Sequence, residues 1–309
     1  MVFMIAIVLV FIGICYAIGE QVPKFLLEPI TFINQTKSLG LSPWNLTLQE
    51  QDVLASVIMP ENIDETFESI GGNDHIVDHV QQLVIKPFQS KEANRYRDKI
   101  LLKPPNGILL YGPPGTGKTM IARAIASELG GAFINVTPDL VENKYFGESQ
   151  KIIKAVFSLA DKLKPCVIFI DEIDGLLGKR SMLDQSHVNS CKTQFLSMMD
   201  GVNKRDENVI VIGATNNIIG LDPAVKRRMR LQLEVDLPNQ EDRQKIFEKI
   251  IPLAEVCEDI DMEGLAGITE GFSGSDINEM CKLAAQFALK NNRDIITQED
   301  FVESQLTLG

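Results

Sequence analysis

The most informative stretch of this sequence is rich in glycine and ends in a lysine and a threonine. Residues 112–119 read GPPGTGKT, which has the spacing G-x-x-x-x-G-K-T. An apolar run at residues 107–111 precedes it, and a helical pattern begins at Met120. Backbone amides in such a loop can turn toward phosphate oxygens, and the helix that follows adds positive partial charge. The stretch therefore predicts a site for the phosphates of a nucleotide.

Two side chains of this loop have predicted chemical roles. Lys118 is expected to reach the β- and γ-phosphates of ATP, and the hydroxyl of Thr119 is expected to bind Mg²⁺. The residues predicted to bind the nucleotide here are Gly112, Pro113, Pro114, Gly115, Thr116, Gly117, Lys118, Thr119 and Met120.

Two carboxylates follow a second apolar run, at residues 166–170. This run has the composition of a strand that is buried on both faces. Carboxylates at the end of such a strand need a cation or water, so Asp171 is the predicted Mg²⁺ ligand. Glu172 is placed to deprotonate the water that attacks the γ-phosphate. The other interpretation, a solvated turn, suits Asp174 better.

A third apolar run, at residues 209–213, is followed shortly by Asn216. An amide there could hydrogen-bond the attacking water or the γ-phosphate, although asparagine is also a common turn residue. Ligands of open α/β sheets gather at the carboxyl ends of strands. This placement beside the other two strand ends favours a role for Asn216 in the chemistry.

A basic cluster at residues 226–230 contains Arg227 and Arg228 and follows a predicted short helix. Taken alone, such a cluster is usually a solvated face. In an oligomeric ATPase these arginines could instead reach the γ-phosphate held by a neighbouring subunit, where an arginine finger contributes about 10³–10⁵ in rate.

The amino-terminal segment, residues 1–19, carries no charged side chain, and Glu20 is the first ionisable residue. As a helix it would span about 28 Å, close to the thickness of a hydrocarbon core. It is predicted to be a transmembrane helix. The alternative is a cleaved signal peptide, but no lysine or arginine precedes the apolar run. Lys24 and Lys37 are interleaved with acidic residues, so the charge rule leaves the topology open.

Residues 20–65 are predicted to be a linker. Within them a helix is expected over residues 48–59, with Val53, Leu54, Val57 and Ile58 on one apolar face. The segment could be a simple tether or an adaptor that packs on the following domain.

The overall charge argues against one class of partner. The chain has 30 Lys plus Arg and 42 Asp plus Glu, which gives a net charge of −12. No nucleic-acid partner is predicted, because nonspecific binders neutralise phosphates with excess basic charge. The five cysteines include no C-x-x-C pair, so neither a disulfide framework nor a zinc ribbon is indicated.

From about residue 66 to its end, the sequence resembles the AAA ATPase family. Among AAA proteins it looks like the group known as mitochondrial sorting of proteins, or thorase, because one apolar segment precedes a single ATPase module. The segments that carry the likeness are residues 67–72 (FESIGG), the phosphate loop, and residues 143–149 (NKYFGES), 168–174 (IFIDEID), 213–216 (GATN) and 271–276 (GFSGSD).

The resemblance implies a fold and an assembly. The fold would be an α/β P-loop module with a doubly wound, mostly parallel sheet, followed by a small helical lid. The expected divisions are a transmembrane helix at residues 1–19, a linker at 20–65, the large ATPase subdomain at 66–237 and the lid at 238–309. The chain would act as a homo-oligomer, a hexamer, with ATP and Mg²⁺ as its cofactors.

Further site residues follow from the resemblance alone. Ile70 and Gly71 would lie beside adenine, and Gly274 and Ser275 would lie in the lid near the nucleotide. Arg227 and Arg228 would be the fingers. A pore loop would grip the substrate through Lys144, Tyr145, Phe146 and Gly147.

The aromatic pair in that loop, Tyr145 and Phe146, suits the threading of an extended substrate protein through a pore. Aromatic rings give a large contact area without requiring one particular substrate sequence. The alternative is an ordinary strand-to-helix loop with core aromatics. Four departures from the family pattern stand at Asn217, at Gln232, at residues 184–186 and at Tyr145, where relatives have tryptophan. They bear on contacts between subunits and on substrate preference.

The implied function is the extraction of mislocalised tail-anchored membrane proteins through a central pore, driven by ATP hydrolysis. The protein would span the membrane once, with its ATPase in the cytosol. The implied location is the mitochondrial outer membrane, and the peroxisome and the endoplasmic reticulum are the alternatives. Rival functions are microtubule severing, filament disassembly, and a nucleotide-gated membrane scaffold that does not hydrolyse ATP.

Overall fold

The computed structural model describes residues 36–37, 39–42, 45–89, 105–142, 148–178, 186–205, 208–251, 256–257 and 260–308. The predicted transmembrane segment, residues 1–19, and the predicted pore loop, residues 144–147, lie outside these ranges. Within the ranges, no helix has both the length and the apolar character needed to cross a bilayer. The chain divides into two units, Met1–Asp52 and Val53–Gly309, and the sheet and the helical lid belong to the second.

Six strands form one sheet in the order β1-β3-β4-β5-β2-β6. Only the pairing of β1 with β3 is antiparallel, and the other neighbours run parallel. This confirms the predicted α/β class with a mostly parallel sheet. The strands are β1 (Val57–Ile58), β2 (Gly107–Tyr111), β3 (Ala132–Val136), β4 (Cys166–Ile170), β5 (Val209–Thr215) and β6 (Leu231–Glu234).

Helices connect and cover the strands of the described chain. In chain order they are α1 (Leu48–Leu54), α2 (Asp74–Val80), α3 (Lys86–Gln89), α4 (Lys118–Glu128), α5 (Pro138–Glu142), α6 (Glu148–Lys162), α7 (Ile173–Leu177), α8 (Ser186–Arg205), α9 (Pro223–Lys226), α10 (Gln240–Ile250), α11 (Met262–Ile268), α12 (Gly274–Lys290) and α13 (Gln298–Leu308).

The helix predicted over residues 48–59 is shorter than expected. It begins with a capping box, in which the Thr47 amide donates to Glu50 Oε2 at 2.7 Å and the Glu50 amide donates to Thr47 Oγ1 at 3.2 Å. It ends at Leu54, because the next apolar residues, Val57–Ile58, pair with β3 as an edge strand. The prediction that Val57 and Ile58 belong to the helix was therefore wrong.

The central strands are buried on both faces. All five residues of β4 and all seven of β5 are buried, as expected for parallel strands that are covered by helices on each side. Phe133 and Phe169 stack within this core with ring centroids 5.6 Å apart. Parallel register sets Ile170 beside Gly213 and Tyr111 beside Thr215. The strand ends that carry the predicted site are thus held at one edge.

A second hydrophobic core lies among α10, α11, α12 and α13. Phe247, Met280 and Phe301 are fully buried in it. Arg243 is also buried, and its guanidinium donates to the carbonyls of Ala266 and Pro238 at 2.8–3.0 Å. These helices form the predicted carboxyl-terminal lid.

Candidate nucleotide-binding site

The glycine-rich loop leaves β2 and enters α4 with left-handed backbone at two glycines. Gly115 has φ +76° and Gly117 has φ +92°, which residues with a Cβ rarely adopt. A Cβ at Gly115 would also lie 2.5 Å from Ser273 Oγ in the lid. Glycine is thus needed both for the turn and for the close approach of the lid.

Lys118 is buried, and its ammonium group lies among the carbonyls of the loop. Nζ donates to Gly112 O at 3.0 Å and to Pro113 O at 2.6 Å. Burial lowers the pKa of Lys118 below its ordinary value, while the charge of Asp171 acts in the opposite direction. A phosphate group could replace these carbonyl acceptors and would favour the charged form of the amine.

The predicted metal ligands lie close together at the end of β4. Thr119 Oγ1 donates to Asp171 Oδ2 at 3.4 Å, and the Glu172 amide donates to Asp171 Oδ1 at 2.9 Å. A hydroxyl and one carboxylate suit Mg²⁺, which prefers oxygen ligands and usually completes its shell with phosphates and water. Among the described residues, no group of three or more His, Cys, Asp or Glu side chains could hold a metal ion.

Glu172 has an unusual backbone conformation. Its φ is +46° and its ψ is +46°, the left-handed region that costs a residue with a Cβ about 1–2 kcal/mol. The side chain is exposed at the mouth of the site. The turn directs this carboxylate away from the core and into solvent, where a water molecule can reach it.

Asp174 is not the solvated turn residue that the sequence suggested. The hydroxyl of Thr215 donates to Asp174 Oδ1 at 2.5 Å and accepts from the amide of Asn217 at 2.9 Å. These contacts tie the end of β4 to the end of β5, where Asn216 is exposed. The sequence offered no signal for this link other than the position of both residues just past apolar strands.

Most of the predicted nucleotide residues line one cleft of about 710 Å³. Among the described residues predicted for this site, Gly112, Pro113, Arg227 and Arg228 do not line the cleft. The predicted residues that line the cleft are Ile70, Gly71, Pro114, Gly115, Thr116, Gly117, Lys118, Thr119, Met120, Asp171, Glu172, Asn216, Gly274 and Ser275.

Other cleft residues were not predicted. Arg123 lies one turn beyond Thr119 on α4, and its Nη1 donates to Glu65 Oε1 at 2.7 Å. Ile246 and Ile250 of α10 provide apolar lining. Their i, i+4 spacing places them on one helical face, which is the only signal that the sequence held for them.

The lid contacts both sides of this cleft. The amide of Ser275 donates to Gly115 O at 3.1 Å. A Cβ at Gly71 would lie 2.7 Å from Ile246 Cα, so that segment packs against the backbone of α10. Movement of the lid would therefore change the cleft from two directions.

The two arginines after α9 differ in their surroundings. Arg227 is exposed. Arg228 donates from Nε and Nη2 to the two carboxylate oxygens of Asp200, at 2.8 and 2.6 Å, and the hydrogen bond to Asp200 raises the pKa of Arg228. The exposed guanidinium is thus the better placed of the two to meet a second copy of the chain.

Two departures from the family pattern make local contacts here. Asn217 Oδ1 accepts from the amide of Gly220 at 3.0 Å. Gln232 Nε2 donates to the carbonyls of Lys226 and Met229, each at 3.2 Å. Gln232 thereby holds the segment that carries the arginines.

The sequence and the structure are similar to known proteins along most of the chain. Residues 108–239 match the ATPase family associated with various cellular activities (AAA), and residues 259–303 match the AAA+ lid domain. An outer mitochondrial transmembrane helix translocase of Danio rerio is 40% identical over 256 residues, which is 82% of this chain and 67% of the relative. The Homo sapiens protein of the same name is 39% identical over 271 residues, 87% of this chain and 74% of the relative.

A solved structure shares the fold. The crystal structure of the FIGL-1 AAA domain in complex with ADP superposes with a TM-score of 0.69 at 32% sequence identity, covering 82% of this chain and 87% of that one.

Proposed function

The chain belongs to the AAA ATPase family and hydrolyses ATP, and we propose that it does so as a membrane-anchored motor that extracts proteins from a bilayer. The observation that carries the proposal is the meeting of Lys118, Asp171 and Glu172 in one cleft with the lid. The name of the relatives, outer mitochondrial transmembrane helix translocase, supports the substrate class. This name favours the extraction of membrane proteins over microtubule severing, over filament disassembly and over a scaffold that does not hydrolyse ATP.

In the proposed binding step, the phosphates of ATP enter the glycine-rich loop. Lys118 exchanges the carbonyls of Gly112 and Pro113 for phosphate oxygens, and the amino-terminal end of α4 adds its partial charge. Ile70 and Gly71 contact the base, while Gly274 and Ser275 approach from the lid.

Thr119 and Asp171 would hold Mg²⁺, which supplies charge neutralisation at the phosphates when it is bound. Glu172 accepts a proton from the attacking water, and Asn216 orients that water or the γ-phosphate. The exposed position of Glu172 supports this role, because the base must reach a water molecule rather than a core group.

Completion of the site requires a second protomer. Neither Arg227 nor Arg228 lines the cleft of its own chain, and Arg227 is exposed. We propose that Arg227 reaches the γ-phosphate held by a neighbouring copy in a ring of six, where it stabilises the charge that develops during transfer.

The membrane and substrate contacts are proposed for parts of the chain outside the described residues. Residues 1–19 would cross the bilayer once and leave the ATPase in the cytosol, with the mitochondrial outer membrane as the expected location. The loop at residues 144–147 would grip a tail-anchored or other mislocalised membrane protein, and Tyr145 and Phe146 would make the contact.

A reconstitution tests this function. The full chain is placed in liposomes with a tail-anchored client, and release of the client is measured with and without ATP. We expect release that needs ATP, that Glu172→Gln and Tyr145→Ala both abolish, and that the conservative control Tyr145→Phe retains. Release that persists in Glu172→Gln and Tyr145→Ala would contradict the mechanism.

A further inference from the structure

Lys192 is a buried lysine on α8 that lies outside the nucleotide cleft. Its side chain is 2% exposed, and its Nζ lies 3.4 Å from Asp222 Oδ2. Nζ also donates a hydrogen bond to the carbonyl of Gly178. Burying an ammonium group is costly unless it is paired and hydrogen-bonded, so these two acceptors determine where the side chain sits.

The two acceptors belong to two short elements of the proposed site. Gly178 is the C-cap that follows α7, and Glu172 is the N-cap that precedes it. Asp222 is the N-cap of α9, where its Oδ1 accepts from the Ala224 amide at 2.8 Å, and Arg227 is the C-cap that follows the last helical residue, Lys226. Lys192 therefore joins the element that starts at the proposed base to the element that carries the proposed finger.

Backbone contacts run alongside this ion pair. Gly178 and Leu221 form an isolated antiparallel bridge, and the amide of Asp222 donates to Leu177 O at 3.3 Å. The helices α7 and α9 have five and four residues. Helices this short are not stable alone, so their directions depend on such tertiary contacts.

We infer that Lys192 is a positioning residue that couples the hydrolytic carboxylate of a protomer to the arginine which that protomer presents to its neighbour. The inference rests on the proposed function, since it requires Arg227 to act on another subunit. A shift of α7 when ATP is split would move Gly178, and through Lys192 and Asp222 it would move α9. Loss of Lys192 should therefore damage the neighbour's site more than its own.

Mixed assemblies of the full-length chain test the direction of this effect. Protomers with Arg227→Ala keep their own carboxylates, and protomers with Glu172→Gln keep their arginine. Their mixture should recover ATP turnover that neither has alone, because an intact carboxylate then meets an intact finger. Absence of recovery would refute the finger in trans and, with it, the coupling role of Lys192.

The second mixture replaces the Glu172→Gln protomer with one that also carries Lys192→Met. Methionine is unbranched and apolar and suits the buried position. We expect recovery to fall by about tenfold or more, since the finger supplies most of the rate. The matched control adds Lys154→Met, an exposed lysine on α6, and should leave recovery unchanged. Full recovery with Lys192→Met would refute the inference even though the function stands.

A purely structural role predicts a different pattern. If Lys192 only stabilised the fold, Lys192→Met would weaken nucleotide binding and lower the melting temperature in proportion to the lost turnover. We expect a lower kcat with KM nearly unchanged. Asp222→Asn is the second variant, because asparagine caps a helix as well as aspartate does but removes the charge opposite Lys192. It should reduce recovery in the same mixture, and full recovery would count against the coupling.

Discussion

Arg228 and Asp200 form a two-point ion pair, with Nε and Nη2 of the arginine 2.8 and 2.6 Å from the two carboxylate oxygens. The pair ties the segment after α9 to α8, twenty-eight residues earlier in the chain. Arg227, the adjacent residue, forms no ion pair within the described part of the chain; it is exposed, and its Nε donates to Pro223 O at 3.4 Å. Two adjacent arginines therefore have different roles: Arg228 forms an ion pair within its own chain, and Arg227 is exposed to solvent.

The first prediction separates these two arginines. Arg227→Ala should reduce ATP turnover by about 10³ or more, because it removes the charge offered to the neighbour's γ-phosphate. Arg228→Ala should instead lower the free energy of unfolding by about 1 kcal/mol, since the ion pair is partly exposed. Steady-state turnover and urea unfolding of both variants measure this. Arg228→Lys is the control, because it keeps the charge but loses the two-point geometry. Equal kinetic losses in Arg227→Ala and Arg228→Ala, with no loss of stability, would contradict the assignment.

The second prediction concerns the backbone at Glu172. Glu172→Gln and Glu172→Asn should both abolish turnover while nucleotide binding persists. Asparagine tolerates the left-handed region better than other residues with a Cβ, so Glu172→Asn should be more stable than Glu172→Gln by about 0.5–1 kcal/mol. Thermal unfolding without nucleotide gives the comparison. A less stable asparagine variant would show that the strained turn is not a cost to the fold.

The third prediction concerns the contact between Gly71 and the lid. Gly71→Ala would place a Cβ 2.7 Å from the backbone of Ile246, and the lid would have to move away from the cleft. Nucleotide affinity should fall by about tenfold, equivalent to 1.4 kcal/mol. The control is Gly201→Ala on α8, where a Cβ meets nothing within 4 Å and alanine should stabilise the helix slightly. Titration with a fluorescent nucleotide compares the two, and unchanged affinity in Gly71→Ala would show that the lid packing is dispensable.

The fourth prediction is a pH dependence of the lid. Asp300 is buried, which acts to raise its pKa, but hydrogen bonds from Arg293 at 2.6–2.7 Å and from Thr297 outweigh burial, and the pKa lies below its ordinary value. A carboxylate with a lowered folded pKa stabilises the protein above its unfolded pKa of about 3.9. That contribution is lost as the pH falls through the lower folded value.

Asp300→Asn should therefore cost about 2 kcal/mol of unfolding free energy at pH 7, and the cost should shrink at acidic pH. Chemical unfolding followed across pH measures it, with exposed Asp294→Asn as the control that should change little. A cost that stays constant with pH would rule out the ionised carboxylate as the source.

The sequence alone predicted the chemistry of the cleft because that chemistry depends on local spacing. The loop from Gly112 to Thr119 must curve around phosphate within a few residues, and Asp171 must follow a strand directly. Parallel strands then bring their carboxyl ends to one edge. These constraints can be read without knowing what packs against what. The pore loop and the membrane helix, in contrast, stay predictions, because they lie outside the described residues.

Only the tertiary structure determined the contacts between residues that are far apart in the chain. Nothing in the spacing of Val57–Ile58 distinguishes a helix from an edge strand. Their antiparallel pairing with β3 makes them an edge strand. Arg227 and Arg228 have identical side chains, and only the position of Asp200 separates them. Lys192 is one lysine among many in the sequence. Its burial between Gly178 and Asp222 arises from the packing of α8 against two short elements, which local sequence patterns do not encode.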